Sequence, residues 1–236
     1  ILICNPNNPT GAVYSREILQ QISDVAREHE LVVFADEIYE KITYEGAEAI
    51  NMATITGDDV LCMTFSGLSK AYRVCGYRAG WLAITGPKED AKNYIEGITL
   101  LASMRLCSNV PAQHAIQTAL GGYQSINELI VPGGRLYEQR TLAHKMLNEI
   151  DGISCTSADG ALYLFPKIDV ERFDITDDEQ FALDLLKSQK ILFSHGSAFN
   201  WHKPDHFRLV FLPDVQTLKS ALERLGNFMA DYKQKN

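Results

Sequence analysis

Three short apolar runs constrain the fold of this chain more than any other feature of its sequence. Leu31–Ala35, Val60–Phe65 and Gly80–Thr85 carry few polar side chains, and helical patterns lie between several such runs. Strands that are apolar on both faces are typical of parallel sheets that helices cover on both sides. We therefore predict an α/β fold with a mostly parallel sheet. In such sheets the polar residues just after the strands tend to form the functional site.

The chain opens on another apolar run, Ile1–Cys4, which predicts a further strand of the same sheet. A turn rich in Asn, Pro and Gly follows, and Ser15 then caps a helix whose apolar residues keep the 3.6-residue period. A buried strand needs neighbours on both sides, and no residue of this sequence precedes Ile1. We therefore expect the chain to be the later part of a longer protein.

The pattern changes near Ser125, where shorter strands and helices begin. We predict two domains, a first of residues 1–125 that holds the sheet and a second, smaller α+β domain of residues 126–236. Three helices are predicted in the second domain: Leu136–Ile150, a helix that starts with a capping box at Thr176–Glu179 and extends through Lys187, and Val215–Tyr232. The predicted strands are Ile153–Cys155, Ala161–Phe165, Ile191–Ser194 and Phe207–Phe211.

Charge and cysteine content argue against several classes of protein. The chain has 22 Lys and Arg against 30 Asp and Glu, a net charge of −8, which disfavours nucleic acid or an anionic membrane as partner. Five spaced cysteines without a CxxC pair favour a reducing compartment over a disulfide framework. His195, His202 and His206 lack the ligand spacing of a metal site. No signal peptide or membrane span is visible, so we expect a cytoplasmic protein without a metal.

Several polar residues lie in turns or after predicted strands, where a functional site would form. Asn8 lies in an Asn-Pro-Thr-Gly turn. Asp36 ends a buried strand, and Tyr39 follows three residues later. Lys70 ends the hydroxyl-rich sequence Ser-Gly-Leu-Ser-Lys, and Arg78 comes eight residues after it. Each alone has an ordinary explanation as a turn residue, a helix cap or a solvated surface charge.

Taken together and in this order, the motifs resemble the fold-type-I pyridoxal-phosphate aminotransferases. The resemblance extends over the whole chain, including Gly160–Tyr163 and His206–Arg208. It implies that residues 1–125 are the later part of the large cofactor-binding domain and residues 126–236 the small C-terminal domain. The run Leu101–Gln113, with Ala198–Trp201, is similar to the bacterial glutamate–pyruvate (alanine) transaminases.

The resemblance also implies a role for each matching residue. Lys70 is the Schiff-base lysine, which holds the cofactor and moves the proton between the substrate Cα and the cofactor. Asp36 pairs with the pyridine nitrogen and keeps it protonated. Tyr39 and Asn8 hydrogen-bond the ring oxygen, and Asn8 also lies at the substrate.

Further residues match the phosphate and substrate contacts of the family. Arg78 is expected to bind the cofactor phosphate, with the hydroxyls of Ser66 and Ser69 as further donors. This chain departs from many relatives in having Gly67 where they carry a hydroxyl. Arg208 is expected to bind the substrate α-carboxylate through two parallel hydrogen bonds, a geometry that Lys cannot reproduce.

The activity that the resemblance implies is transfer of an amino group between L-alanine and 2-oxoglutarate by a ping-pong mechanism, in a homodimer. Because the family places part of the active site before the segment matched here, we expect the isolated chain to be inactive. Two alternatives remain open: a pyridoxal-phosphate lyase, and a non-catalytic aminotransferase-like module that binds cofactor or amino acid. Rapid amino transfer that depends on a 2-oxo acid would distinguish a transaminase from a lyase, and a basic DNA-binding extension, which these residues do not contain, would be the usual mark of the non-catalytic module.

Overall fold

The computed structural model describes residues 1–106 and 109–235, which form two compact units. Unit 1 consists of Ile1–Asn7 and Val13–Asn127, and unit 2 consists of Asn8–Ala12 and Glu128–Asn236. The turn Asn8–Ala12 thus belongs with unit 2, although both of its flanks lie in unit 1. The two domains at 1–125 and 126–236 stay a prediction, and they differ from the units chiefly in where they place this turn.

Unit 1 is built on a four-stranded sheet. Its strands are β1 (Leu2–Cys4), β2 (Val33–Asp36), β3 (Cys62–Gly67) and β4 (Gly80–Thr85), in the order β1-β2-β3-β4. β1, β2 and β3 are parallel, which confirms the predicted α/β fold with a mostly parallel sheet. β4 has the predicted bounds but runs antiparallel to β3. A parallel pairing usually needs a helical crossover, and the connection before β4 contains only the 3-10 turn Cys75–Tyr77.

Unit 1 also contains helices. They are α1 (Arg16–Glu28), α2 (Met52–Thr56), α3 (Lys92–Met104) and α4 (Val110–Gly121), and α5 (Ile126–Leu129) crosses into unit 2. Ser15 caps α1 as predicted, because its side chain accepts a hydrogen bond from the backbone N–H of Ile18. Leu19 and Ala26 of α1 are buried in one core with Val33 and Ala35 of β2. Among the described residues, no helix is long and apolar enough to cross a membrane.

Unit 2 is a smaller α+β assembly. Its elements are α6 (Arg135–Asn148), β5 (Ile153–Ser154), β6 (Tyr163–Leu164), β7 (Lys167–Ile168), α7 (Val170–Phe173), α8 (Asp178–Gln189), β8 (Ser194–His195), β9 (Phe207–Val210) and α9 (Val215–Asp231). β5 pairs with β7, and β9 lies between β6 and β8; these pairings are antiparallel. The strand predicted at Ile191–Ser194 is observed at Ser194–His195 (β8), where these two residues pair with Arg208 and Phe207 of β9.

The N-terminus of α8 differs from the predicted capping box. Asp177, not Thr176, is the N-cap, and its carboxylate accepts hydrogen bonds from the backbone N–H groups of Glu179 and Gln180. Thr176 instead donates its backbone N–H and its hydroxyl to the side-chain oxygen of Gln234. The hydroxyl of Thr176 is therefore engaged by the C-terminal segment, and the adjacent carboxylate takes over the cap.

Gln234 anchors that C-terminal segment. Its Oε1 also accepts the N–H of Asp177 at 3.0 Å, its Nε2 donates to the Asp177 carbonyl at 2.6 Å, and its backbone N–H donates to Phe173. The residue is buried. Gln234 thus satisfies the polar groups of the loop that leads into α8.

Replacing Gln234 by alanine should lower the free energy of unfolding by about 1–3 kcal/mol, because partly buried backbone donors of the α7–α8 loop would lose their acceptor. Urea unfolding followed by circular dichroism measures the change. Lys235→Ala, at an exposed neighbouring position, is the matched control and should change little. Equal stability of the two variants would contradict the anchoring role.

Candidate active site

The ends of two parallel strands place the first site residues of unit 1. Asp36 is the last residue of β2 and pairs with Phe65 of β3, the residue that precedes Ser66. Because the strands are parallel, Asp36 and Ser66 lie at the same edge of the sheet. The Asp36 side chain is half-buried, and its Oδ1 accepts the backbone N–H of Ile38 at 3.2 Å. The local fold therefore fixes a carboxylate at the edge where the sequence predicts the site.

Lys70 and Tyr39 are brought together in unit 1. The Lys70 amine lies 5.7 Å from the centroid of the Tyr39 ring, a distance at which a cation and an aromatic face attract. Tyr39 is buried and Lys70 half-buried. The turn after β3 thus directs an amine towards a phenol that follows β2.

Gly67 lies where the ends of β3 and β4 come close to each other. A Cβ atom at residue 67 would lie 3.0 Å from the carbonyl oxygen of Ala79 and from the Cα of Gly80. A side chain at residue 67 would therefore require the neighbouring backbone to shift by a few tenths of an ångström. Ser66 and Ser69, both half-buried, are the neighbouring hydroxyls, and their role as phosphate ligands stays a prediction.

Arg78 lies at a polar concavity of unit 1. It follows the 3-10 turn with a left-handed backbone (φ 52°), and its Nη1 donates to the Cys75 carbonyl at 2.8 Å. The concavity measures about 320 Å³, and its lining residues are Arg78, Ala79, Gly80, Arg105, Asn109 and Gln113. Two guanidinium groups and two side-chain amides suit an anion. The sequence had indicated Arg105, Asn109 and Gln113 only as part of a run similar to one subgroup.

Arg208 and Asn8 are brought together in unit 2. Arg208 projects from β9, and its Nη1 donates to Asn8 Oδ1 at 2.9 Å, although the two residues are 200 positions apart. Its Nη2 donates to Ser194 Oγ at 3.2 Å. The guanidinium carbon lies 4.7 Å from the Tyr163 ring centroid and 4.8 Å from that of Phe199. Sequence reasoning missed Ser194, Tyr163 and Phe199 as neighbours of this arginine, since a single sequence gives no signal for such contacts.

The turn that carries Asn8 is held by a loop of unit 2. The Gly11 carbonyl accepts the backbone N–H groups of Asp159 and Gly160 at 3.0 and 2.8 Å. Gly11 has a positive φ of 73°, and a Cβ there would lie 2.5 Å from the Cβ of Ala158. The buried Arg140 of α6 in turn donates to the Ala158 carbonyl at 2.6 Å. A chain of contacts from α6 thus positions Asn8.

One family profile matches most of this chain. The family is described as Aminotransferase class I and II, and it matches residues 1–225. The chain belongs to this family. Its α/β fold and the order of its site motifs agree with that membership.

Curated aminotransferases are similar to the chain over nearly its whole length. It is 63% identical over 234 residues to the alanine aminotransferase of Mycobacterium tuberculosis, covering 99% of this chain and 54% of that protein. It is 58% identical over 234 residues to the glutamate-pyruvate aminotransferase AlaA of Escherichia coli K12, covering 99% of this chain and 58% of that protein. The chain therefore spans a little over half the length of these relatives.

Solved aminotransferase structures share the fold. An Escherichia coli aminotransferase superposes with a TM-score of 0.98 at 57% identity, covering 100% of this chain and 58% of that one. The alanine aminotransferase of Pyrococcus furiosus superposes with a TM-score of 0.91 at 41% identity, covering 98% of this chain and 57% of that one.

Next to Asp36, this aminotransferase chain buries a second carboxylate. Glu37 accepts the backbone N–H of Met52 at 2.7 Å and the side-chain amide of Asn51 at 2.6 Å, and so holds the start of α2. Burial raises the pKa of Glu37, the two hydrogen bonds lower it, and the charges of Glu40 and Asp36 raise it, with a net rise. Sequence reasoning gave Glu37 no role.

The raised pKa of Glu37 makes stability depend on pH. The folded chain keeps this proton at pH values where the unfolded chain has lost it, so the free energy of unfolding falls as pH rises from 4.5, the ordinary Glu value, through the higher folded pKa. Unfolding measured across this range should show that decline in the wild type and a smaller one in Glu37→Gln. The exposed Glu48→Gln serves as control. Parallel pH profiles for the wild type and Glu37→Gln would contradict the assignment.

Proposed function

We propose that this chain is part of a pyridoxal-phosphate-dependent aminotransferase that moves an amino group between L-alanine and 2-oxoglutarate by a ping-pong mechanism. The observation that carries the proposal is its 58–63% identity, over 99% of its length, to enzymes named alanine and glutamate-pyruvate aminotransferase. The donor groups described above support it, because each has the chemistry that such a reaction needs.

The residues of unit 1 suit pyridoxal phosphate. When bound, that cofactor supplies an electron-accepting ring that stabilises negative charge on the substrate Cα. Asp36 offers a carboxylate for the ring nitrogen, Tyr39 a hydroxyl for the ring oxygen, and Arg78 a guanidinium for the phosphate. Lys70 offers the amine that attaches the cofactor, takes the Cα proton and returns it.

Two further sets of residues complete this assignment. The hydroxyls of Ser66 and Ser69 are proposed as additional phosphate donors. In unit 2, Asn8 is proposed to contact the ring oxygen and the substrate. Its Oδ1 already accepts from Arg208, so its side-chain amide nitrogen would be the donor to the ring oxygen.

Arg208 is proposed to bind the α-carboxylate of both substrates. Its Nε is buried and has no hydrogen-bond partner among the described residues. A buried N–H without an acceptor is uncommon in proteins, and a carboxylate would satisfy it. The aromatic rings of Tyr163 and Phe199, which lie against the guanidinium, help to hold it in place for such an acceptor.

Arg208→Ala should lower kcat/KM for both the amino acid and the 2-oxo acid, because the same contact serves both half-reactions. The expected loss of transition-state binding is roughly 2–5 kcal/mol. Steady-state kinetics in both directions measure it. Arg16→Ala removes the same charge at an exposed position of α1 and should leave kcat/KM unchanged. Unchanged kinetics in Arg208→Ala would mean that another residue holds the carboxylate.

The proposed activity is tested with the protein expressed from its complete gene. L-alanine should convert the cofactor to its amino form, seen by absorbance, and 2-oxoglutarate should restore it with release of glutamate. A panel of amino acids then ranks the substrates. Elimination from a β-substituted amino acid without 2-oxo-acid dependence would indicate a lyase, and cofactor binding without turnover would indicate a non-catalytic module.

The remaining assignments concern assembly and location. Leu100, Leu101 and Met104 of α3 are all more than half exposed, and clustered apolar surface of this kind favours a protein interface. We assign the protein to a homodimer, which light scattering would test. Cys62, Cys75 and Cys155 are free thiols and Cys107 lies outside the described residues; free thiols support assignment to the reducing cytoplasm.

A further inference from the structure

Two of the contacts that hold Arg208 come from one short turn of unit 2. Ser194 opens β8, and Phe199 ends the 3-10 turn Gly196–Phe199 that follows β8. One contact is a hydrogen bond to the Arg208 Nη2 and the other an aromatic face against the guanidinium. The position of this turn, residues 194–199, therefore helps to determine where the guanidinium of Arg208 lies, together with Asn8 and Tyr163.

A buried carboxylate fixes the turn from one side. Asp178, the first residue of α8, is buried, and its Oδ2 accepts the backbone N–H of Ser197 at 2.8 Å. Its Oδ1 accepts the Ser197 hydroxyl, also at 2.8 Å. Asp178 thus binds Ser197 twice, and a carboxylate makes such hydrogen bonds stronger than a neutral acceptor would.

His195 extends this arrangement. Its Nδ1 lies 2.8 Å from Ser197 Oγ. Because the only hydroxyl proton of Ser197 is donated to Asp178, the contact requires a proton on His195 Nδ1, which donates to Ser197. The three side chains form a hydrogen-bonded chain from His195 through Ser197 to Asp178, and we call this chain the turn lock.

β9 fixes the same turn from the other side. The backbone N–H of Gly196 donates to the His206 carbonyl at 2.8 Å. His206 immediately precedes β9 and lies two residues before Arg208. The turn is thus attached both to the strand that carries Arg208 and, through the turn lock, to the N-terminus of α8.

We propose that Asp178, Ser197 and His195 are positioning residues for Arg208, and that they set the affinity for the substrate carboxylate without contacting the substrate. The proposal rests on the proposed role of Arg208. A misplacement of about 1 Å in a binding group can cost large factors in rate, and release of Ser197 from Asp178 would free Ser194 and Phe199 to move. The turn lock therefore lowers KM by holding the guanidinium of Arg208 in the position that binds the substrate carboxylate.

Ser197→Ala in the protein expressed from its complete gene tests this inference. KM for L-alanine and for 2-oxoglutarate should rise by about 5- to 30-fold, the size of one or two lost contacts, while kcat and the cofactor absorbance stay near wild type. Ser197→Thr, which keeps the hydroxyl, should restore KM. Ser188→Ala removes a hydroxyl that bonds only within α8 and is the matched control.

A double-mutant comparison separates positioning from loss of stability. If the turn lock acts through Arg208, Ser197→Ala should change KM little in an Arg208→Lys background. An undiminished effect in that background would overturn the proposal, as would a lowered melting temperature with unchanged KM in the single variant.

A readout independent of activity keeps the two proposals apart. In protein with ¹⁵N-labelled arginine, the Nε–H signal of Arg208, assigned through Arg208→Lys, should shift in Ser197→Ala and stay in place in Ser188→Ala. An unmoved signal would overturn the positioning role. Absence of alanine turnover in the wild type would instead contradict the proposed function, and the signal would still decide whether the turn lock positions Arg208.

Discussion

Lys70→Ala should abolish amino transfer between L-alanine and 2-oxoglutarate. Loss of a positioned proton-transfer group alone costs about 10²–10⁴-fold, and loss of the attachment point for the cofactor adds to this. The amine lies beside the buried Tyr39 ring, in the turn after β3. Cofactor binding should persist in weakened form, because the proposed contacts of Asp36 and Arg78 are untouched.

Chemical trapping provides the measurement. Borohydride reduction of the wild-type protein, followed by peptide mapping, should place the pyridoxyl group on Lys70. Lys88→Ala, at an exposed position before α3, should keep full turnover and the same labelled peptide. A pyridoxyl group on any other lysine would refute the assignment.

Asp36→Ala should slow removal of the Cα proton by about 10²–10³-fold, the size typical of losing one preorganised electrostatic partner. Amino-acid binding should weaken far less, because the carboxylate acts on charge that develops only after the proton leaves. The position of Asp36 at the end of β2, with Oδ1 held by the Ile38 N–H, supports a fixed carboxylate that would hold the ring nitrogen.

Single-turnover kinetics with L-alanine and with its Cα-deuterated form resolve that step. In Asp36→Ala the isotope effect should become fully expressed, since proton removal is then slowest. Asp58→Ala removes an exposed carboxylate after α2 and should behave as wild type. A normal rate of proton removal in Asp36→Ala would rule out the proposed role.

Much of the sheet was predictable because it depends on local pattern. The apolar runs place β1 to β4 within a few residues of their observed bounds, and the polar residues that follow them are those of the candidate site. The antiparallel direction of β4 was not predictable from its apolar composition. It depends on the connection after Lys70, which holds a 3-10 turn and no α-helix.

Long-range contacts account for what the sequence did not reveal. Motif order indicated Asn8 and Arg208 separately, but no local pattern pairs residues 200 positions apart. The aromatic faces around Arg208 and the anchoring of the C-terminal segment by Gln234 depend on the same kind of contact. The cap of α8 was misassigned for this reason, because a residue near the other end of the chain engages Thr176.

The contribution of Asn8–Ala12 to unit 2, from within the sequence of unit 1, bears on how such proteins could be recombined. A cut at residue 127 leaves unit 2 without the turn whose Gly11 carbonyl binds the Asp159–Gly160 loop and whose Asn8 binds Arg208. In a chimaera that takes a relative's segment from residue 128 onwards, Asn8–Ala12 would come from one parent. The loop and the arginine that these five residues contact would come from the other parent. Gene shuffling should therefore yield more folded chimaeras when Asn8–Ala12 and the segment from residue 128 onwards come from the same parent. The unit to exchange is then defined by contacts in the fold and is not one continuous stretch of sequence.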